Sequence, residues 1–319
     1  MTPDAGPRIV TAGETMALLL PAAPGRLRHA TGLSLSIAGA ESNVAIGLAR
    51  LGLAASWVSA VGDDELGELV LARVRAEGVD TGSVLVVADR PTGLCLREQV
   101  AGAVRVHYYR RGSAASTLAP KAFDPAALDG AAWLHLTGIT PALSPACAEF
   151  TRWAAAEARA RGLRVSYDVN YRGKLWDTAA ARAFADSVLP LVDLVLVGDD
   201  EAEALWDAPD EDAALRQLTA AGPSEVVVKR GAEGAVAVVD GERVGAPGFH
   251  VPELDPIGAG DAFAAGYLAA SVWGEEPRQR LRTANALGAL AVRSIGDYEG
   301  LPSRPELAAF LGGVVELGR

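Results

Sequence analysis

The sequence predicts an α/β protein: a mainly parallel central sheet with helices on both faces, and a small second sheet projecting from it as a lid. Three observations carry this. Through the second half of the chain, short apolar runs alternate with alanine-rich helical stretches, as buried parallel strands joined by crossover helices do. Between residues 84 and 110 a β-rich patch breaks that alternation with spacings that suit hairpins. The length of 319 residues, 50% hydrophobic and 22% charged, permits one large α/β domain with an appendage, or two modest domains, and the alternation favours the first. Residues 1–319 are therefore read as a single domain, its lid formed by strands within about 14–37 and 84–110.

In chain order, the first strand is expected from Ile9 to Ala12, ending at Gly13. A helix follows from about Ser42 to Leu51, then a strand near Trp57 to Val61. Gly62-Asp63-Asp64 supplies capping residues for a helix reaching Glu77. The β-rich patch holds Val84 to Val87, Leu94 to Val100 and Val104 to Tyr109. Buried strands are then expected at Trp133 to Leu136, Val165 to Val169, Leu194 to Val197 and Val226 to Lys229, separated by helices such as Pro145 to Arg161 and Asp210 to Ala221.

The formal net charge of -11 argues against nucleic acid or an anionic membrane as the main partner. A few local arginines still suffice to make one cleft attract an anion. The two cysteines, Cys95 and Cys147, form no Cys-x-x-Cys pair, and the four histidines show no metal-ligand spacing. The N-terminus, with Asp4 and scattered prolines, does not read as a signal peptide, and no apolar run is long enough to span a bilayer. The expected compartment is the cytoplasm.

The stretch that carries chemistry is Asp255-Pro256-Ile257-Gly258-Ala259-Gly260-Asp261-Ala262-Phe263. It reads as a loop turning into a helix from Ala259. Gly258, Ala259 and Gly260 at a helix N-terminus leave backbone N–H groups unpaired, and with the helix dipole these make an anion site. A carboxylate at Asp261 would repel a phosphate, so it fits a different part: a base that takes the proton of an attacking hydroxyl while the amides hold the phosphoryl group in transfer. The glycines fail as a dinucleotide fingerprint because Phe263 stands where the third glycine belongs. They fail as a Walker loop because Gly173-Lys174 is followed by Leu175. An ordinary tight turn with a first-turn acid is the bland alternative.

The Asp-x-x-Gly-Ala-Gly-Asp pattern resembles the C-terminal signature of the ribokinase-like (PfkB) carbohydrate kinases. A second signature stands near the start, Ala38-Gly39-Ala40-Glu41-Ser42-Asn43-Val44, in the expected order. There Gly39 allows close backbone approach to a ligand, Ala40 stands beside it on the substrate side, and Asn43 offers a donor and an acceptor to a sugar hydroxyl; an ordinary helix start is the alternative reading. The resemblance covers almost the whole chain. It implies a three-layer ribokinase-like fold, a β-sheet lid that keeps water from the acceptor, and a homo-oligomer formed through that lid.

Within that family the chain resembles the 2-keto-3-deoxygluconate kinases, in the runs Ile9 to Glu14, Leu134 to Ser144 and Lys229 to Ala235. The resemblance implies that Tyr108 and Arg110 of the lid, and Arg172 of Asp168-Val169-Asn170-Tyr171-Arg172, hold a keto-acid. Two arginines from separate elements also suit a carboxylate on chemical grounds; surface ion pairs are the alternative. Two departures stand out. Cys95 occupies a lid position where the subfamily often has a substrate-contacting tyrosine. Gly198-Asp199-Asp200-Glu201 lacks the asparagine of the family's Asn-x-x-Glu motif, so Glu201 alone is carried over to magnesium, through water.

For ATP, the resemblance points to Lys229, the pair Gly231 and Gly234, and Asn285 beside the adenine; Gly231 to Gly234 reads equally as a plain hairpin turn. ATP and Mg2+ are the implied cofactors, and some relatives also need a monovalent cation. The expected reaction is transfer of the ATP γ-phosphoryl group to the terminal hydroxyl of 2-keto-3-deoxygluconate. A fructokinase or other sugar kinase of the same family is the alternative, and a non-catalytic sugar or nucleotide sensor the second. The failed fingerprint at Phe263 weakens a nicotinamide oxidoreductase.

Overall fold

A computed structural model describes residues 7–23, 25–100 and 103–313. Residues 1–6, which carry part of the expectation about a leader, lie outside them. In chain order the elements are β1 (Arg8–Ala12), β2 (Met16–Pro21), β3 (Leu33–Ala38), α1 (Ala40–Arg50), β4 (Ala55–Gly62), α2 (Glu65–Ala76), β5 (Val84–Val87), β6 (Leu94–Val100), β7 (Ala103–Tyr109) and β8 (Ala131–Thr137). They continue with α3 (Pro145–Ala160), β9 (Arg164–Asp168), α4 (Thr178–Val188), β10 (Leu194–Gly198), α5 (Asp199–Trp206), α6 (Glu211–Ala220) and β11 (Glu225–Lys229). The last are β12 (Ala235–Val239), β13 (Glu242–Ala246), α7 (Ala259–Val272), α8 (Pro277–Ala291) and α9 (Arg304–Leu311).

Among the described residues, nine strands form one sheet in the order β13-β12-β11-β10-β9-β8-β1-β4-β5. From β11 to β5 every neighbouring pair is parallel; β12 and β13 extend the β11 edge as antiparallel strands. Because successive side chains point to opposite faces, each strand feeds two cores. Ile9, Trp57, Leu194 and Leu196 pack with α1, α2, α7 and α8. Val10, Val58, Val195 and Val197 pack with α3, α4, α5 and α6. The result is three layers, helix on sheet on helix.

The second sheet runs β3-β2-β6-β7. The sequence assigned Val84–Val87 to this lid, and the structure corrects that: β5 pairs in parallel with β4 at the edge of the large sheet. A four-residue apolar run carries no record of its partner, and its nearness in sequence to the β6–β7 hairpin suggested the wrong sheet. The lid's two faces differ. Met16, Leu18, Ala38 and Cys95 form a small apolar cluster on one. Leu33 and Leu35, 43% and 48% exposed, stand on the other, which Tyr109 shares by register.

Thr137 pairs in register with Asp168, and Gly198 with Lys229, and the four stand at the C-terminal ends of β8, β9, β10 and β11. In open α/β sheets ligands bind beyond these ends, and the N-terminus of α7 arrives here as well. No helix among the described residues is long and apolar enough to cross a membrane.

Candidate active site

Gly258 is the N-cap of α7, with φ 81°. That left-handed conformation suits glycine, and a Cβ here would collide with the Asp297 carbonyl oxygen. The first full turn closes with the Ala262 N–H donating to Gly258 O at 2.8 Å. The amides of Gly260 and Asp261 precede that bond and point off the helix end, where the dipole is positive.

Asp261, in this turn, is buried. Its Oδ2 accepts from Asn43 Nδ2 at 2.8 Å and its Oδ1 from Asn170 Nδ2 at 3.4 Å. Helix packing explains the first contact. One turn beyond it, Gly47 of α1 lies against Ala265 of α7, where a Cβ on Gly47 would stand 2.8 Å from the alanine methyl. Close approach of the two helices therefore delivers Asn43 to Asp261. Burial raises the Asp261 pKa, the Asn43 amide and the Arg172 charge oppose that, Asp168 adds to it, and Lys229 opposes it.

Beside this pair, Lys229 Nζ lies 2.8 Å from both carboxylate oxygens of Asp168 and near Gly260, 3.8 Å from where a Cβ would sit. The Lys229 side chain thus belongs with Asp168 and the α7 terminus. Its pKa is raised: burial alone would lower it, but Asp168 and Glu201 outweigh that. Glu201 accepts from the backbone N–H groups of Gly198 and Tyr171, both at 2.7 Å. Burial raises its pKa against the Lys229 charge.

Gly231 begins a single helical turn that joins β11 to antiparallel β12, and the Arg230 N–H donates to Gly234 O at 2.8 Å. The hairpin reading therefore describes the backbone here. Asn285, on α8, donates to the carbonyls of Ala246 and Pro247 at 3.2 and 3.1 Å, bracing the loop after β13. Gly39 caps α1 in extended conformation, and a Cβ there would lie 2.6 Å from Glu14 O. Ala40 follows it in the first turn, also buried.

On the lid, Tyr108 is register partner of Cys95, so the two share the cleft-facing side. The Arg110 guanidinium stands over the Tyr108 ring, 5.7 Å from its centroid. Arg172 bears on the same phenol electrostatically. Tyr108, Arg110 and Arg172 are thus brought together. Arg110 is not free, however: its Nε donates to Glu14 Oε2 at 2.6 Å and its Nη2 pairs with the same oxygen. Glu14 also accepts from Ser113.

Sequence reasoning passed over three polar clusters that lie here. One is Glu14 with Ser113, behind Arg110. Another is Glu41, fully buried, whose Oε1 accepts from the Thr137 and Thr140 hydroxyls at 2.7 and 2.8 Å. Burial pushes its pKa up to about 7, and Asp261 adds to the rise. The third joins Arg97 to Asp255 and Asp297. Burial pushes Asp297 up to about 7 in spite of Arg97. A signal did exist for the acids, since Glu41 and Asp255 stand inside the two signatures; nothing local announces their partners.

The model of the pfkB family carbohydrate kinases matches residues 7–304. The 2-dehydro-3-deoxygluconokinase of Bacillus subtilis (strain 168) is 38% identical over 306 residues, covering 95% of this chain and 94% of that protein. The 2-dehydro-3-deoxygalactonokinase of Haloferax volcanii is 35% identical, over 91% of this chain and 92% of that one. Among solved structures, an E. coli protein in complex with ATP and Mg2+ superposes with TM-score 0.88 at 27% identity, covering 96% of this chain and 99% of that one. With the family model spanning residues 7–304 and a relative 38% identical over 95% of the chain, this protein belongs to the pfkB family of carbohydrate kinases.

Proposed function

We propose that the chain transfers the γ-phosphoryl group of ATP to the terminal hydroxyl of 2-keto-3-deoxygluconate, the 2-dehydro-3-deoxy acid named for its Bacillus relative. The observation that carries this reading is Asp261, a buried carboxylate beside the outward amides of Gly260 and within the field of Arg172. The acceptor oxygen attacks the γ-phosphorus, its proton passes to Asp261, and the bond to the β-phosphate oxygen breaks to release ADP. Amides at the head of α7 stabilise charge on the phosphoryl oxygens.

Arg172, exposed and with its charge acting on both Tyr108 and Asp261, holds the carboxylate of the acid, with Tyr108 and the remaining Nη1 of Arg110 beside it. On this reading Gly39, Ala40 and Asn43 serve the acceptor side, Asn43 through its contact with Asp261. The turn Gly231 to Gly234 and the loop that Asn285 braces serve, on the same reading, the nucleotide side, and Lys229, paired with Asp168 beside Gly260, faces the phosphates at the head of α7. Among the described residues no cluster of three His, Cys, Asp or Glu side chains cages a metal. Mg2+ keeps its waters and leans on phosphates with one or two carboxylates, and Glu201, its oxygens already holding backbone N–H groups, fits it through water. That ion would neutralise charge on the transferring phosphate.

Coupled ADP release with Mg-ATP tests the reading on 2-keto-3-deoxygluconate, 2-keto-3-deoxygalactonate, fructose and ribose. Preference for fructose or ribose would sink the acid assignment while leaving Asp261 in place. The galactonate epimer is the second reading, favoured by Cys95 in place of a longer side chain and by the Haloferax relative. Arg172→Ala is expected to raise KM for the keto-acid roughly 10- to 100-fold, the worth of a charge-assisted hydrogen bond. An unchanged KM would remove Arg172 from the clamp. The exposed leucines of the lid's outer face, Leu33 and Leu35, support pairing of two chains there. Sedimentation is expected to give a dimer or larger species that Leu35→Asp dissociates; a wild-type monomer would discard it.

A further inference from the structure

We infer, resting on the kinase reading above, that Arg97 is a positioning residue that joins the lid to the two loops shaping the first turn of α7 and so keeps the phosphoryl-binding amides in register with the acceptor site. Arg97 lies on β6, on the same side as Cys95, which is the side turned to the cleft. It is buried, and its guanidinium stands between two acids. Nη1 donates to Asp297 Oδ1 at 3.3 Å. Nη2 lies 2.8 Å from Asp255 Oδ2, a charge contact that lacks the alignment of a hydrogen bond.

Both acids act on Gly258, the N-cap of α7. Asp255 accepts from the Ile257 N–H at 3.2 Å and from the Gly296 N–H at 3.1 Å, tying the segment before α7 to the one after α8. The backbone oxygen of Asp297 packs against the Gly258 Cα, closely enough to exclude a Cβ. One lid guanidinium therefore holds the two residues that set where the helix begins. A second lid strand adds a tie of the same kind: Ser36 Oγ on β3 donates to Glu299 Oε1 at 2.6 Å, and Glu299 Oε2 accepts from the Tyr298 N–H at 3.1 Å.

Removing the guanidinium takes away the group that bridges the two buried acids; whether they then repel or one takes up a proton, the tie that holds the loops carrying Gly258 to the lid is lost. Misplacement on the ångström scale is costly in phosphoryl transfer, because the catalysis is mostly positioning.

The test compares wild type with Arg97→Met using Mg-ATP and an acceptor that the wild type turns over. Hydrogen exchange of the ligand-free proteins is measured alongside. Arg97→Met is expected to lower kcat roughly 10- to 100-fold, to leave KM for ATP within about twofold, and to raise the share of turnovers in which the γ-phosphoryl group passes to water, giving ADP and phosphate, instead of to the acceptor. Amides of residues 254–263 and 294–299 should exchange faster, with β1 and β8 unchanged. Arg97→Lys, which keeps the charge but spans two carboxylates less well, should recover part of kcat.

Wild-type kcat with wild-type exchange in a folded Arg97→Met protein would overturn the inference. So would a loss of activity with exchange raised evenly through the sheet, since that marks a merely structural residue. If Arg97→Met does not fold, Ser36→Ala tests the same coupling without a buried charge change; it should shift both readouts less and in the same direction, and no shift overturns the inference. A wild type silent on every acceptor would be a failure of the kinase reading instead, and the exchange comparison would still decide the role of Arg97.

Discussion

Asp261→Asn is expected to lower kcat by about 10²- to 10⁴-fold, the usual cost of losing a general base, while binding of nucleotide and acceptor stays near wild type. The substitution is mild in shape. The amide oxygen still accepts from Asn43 Nδ2, now 2.8 Å from Asp261 Oδ2, so the α1–α7 contact survives. What disappears is the proton acceptor. The pH profile adds a second check. Burial raises the Asp261 pKa, and a base works only when ionised, so the acid limb of kcat should lie above the ordinary aspartate range. The amide variant should lose that limb. The same raised pKa means the folded state resists ionising Asp261, so the variant should be at least as stable as wild type at neutral pH. Calorimetric binding beside steady-state rates makes the measurement; wild-type kcat in the variant would remove Asp261 as the base.

Glu41→Gln is expected to stabilise the protein above pH 7 and to leave it near wild type around pH 4.5. Glu41 carries a pKa raised from 4.5 to about 7. Between those values the folded state binds the proton and the unfolded state does not, so stability falls as pH rises through this window. The group's share is at most on the order of 3 kcal/mol. Asp297, also pushed up to about 7, slopes the same way, so the difference between variant and wild type, not either curve alone, isolates Glu41. Glutamine keeps the carbonyl oxygen that receives the Thr137 and Thr140 hydroxyls, with no charge left to desolvate. Urea unfolding from pH 4.5 to 8.5 reads the effect, and parallel curves for the two proteins would mean that Glu41 is not held neutral by burial.

Much of the architecture was legible in the chain. The apolar runs ending in Val169, Val197 and Lys229 fall on β9, β10 and β11, and Pro145 to Arg161 is α3 with its C-cap. Strands buried on both faces must be apolar along their length, which makes them readable one at a time. The hairpin β12–β13 was not singled out, because Ala235–Val239 and Glu242–Ala246 follow the glycine turn without the helix that punctuates the parallel strands. Val84–Val87 was read as a strand and assigned to the wrong sheet.

The sequence by itself determined the fold class, the helix that begins at Ala259, and the presence of a carboxylate in its first turn. These depend on residues close together in the chain, where spacing alone fixes which groups share a turn or a face. Tertiary structure alone decided what each charged group touches. Arg110 pairs with Glu14 across 96 positions, Lys229 with Asp168 across 61, and Arg97 with Asp297 across 200. A charge in sequence is an offer with many takers. Burial selects among them, since a desolvated ion is tolerated only beside a partner, and the desolvating surroundings exist only once the lid, the sheet ends and α7 have come together.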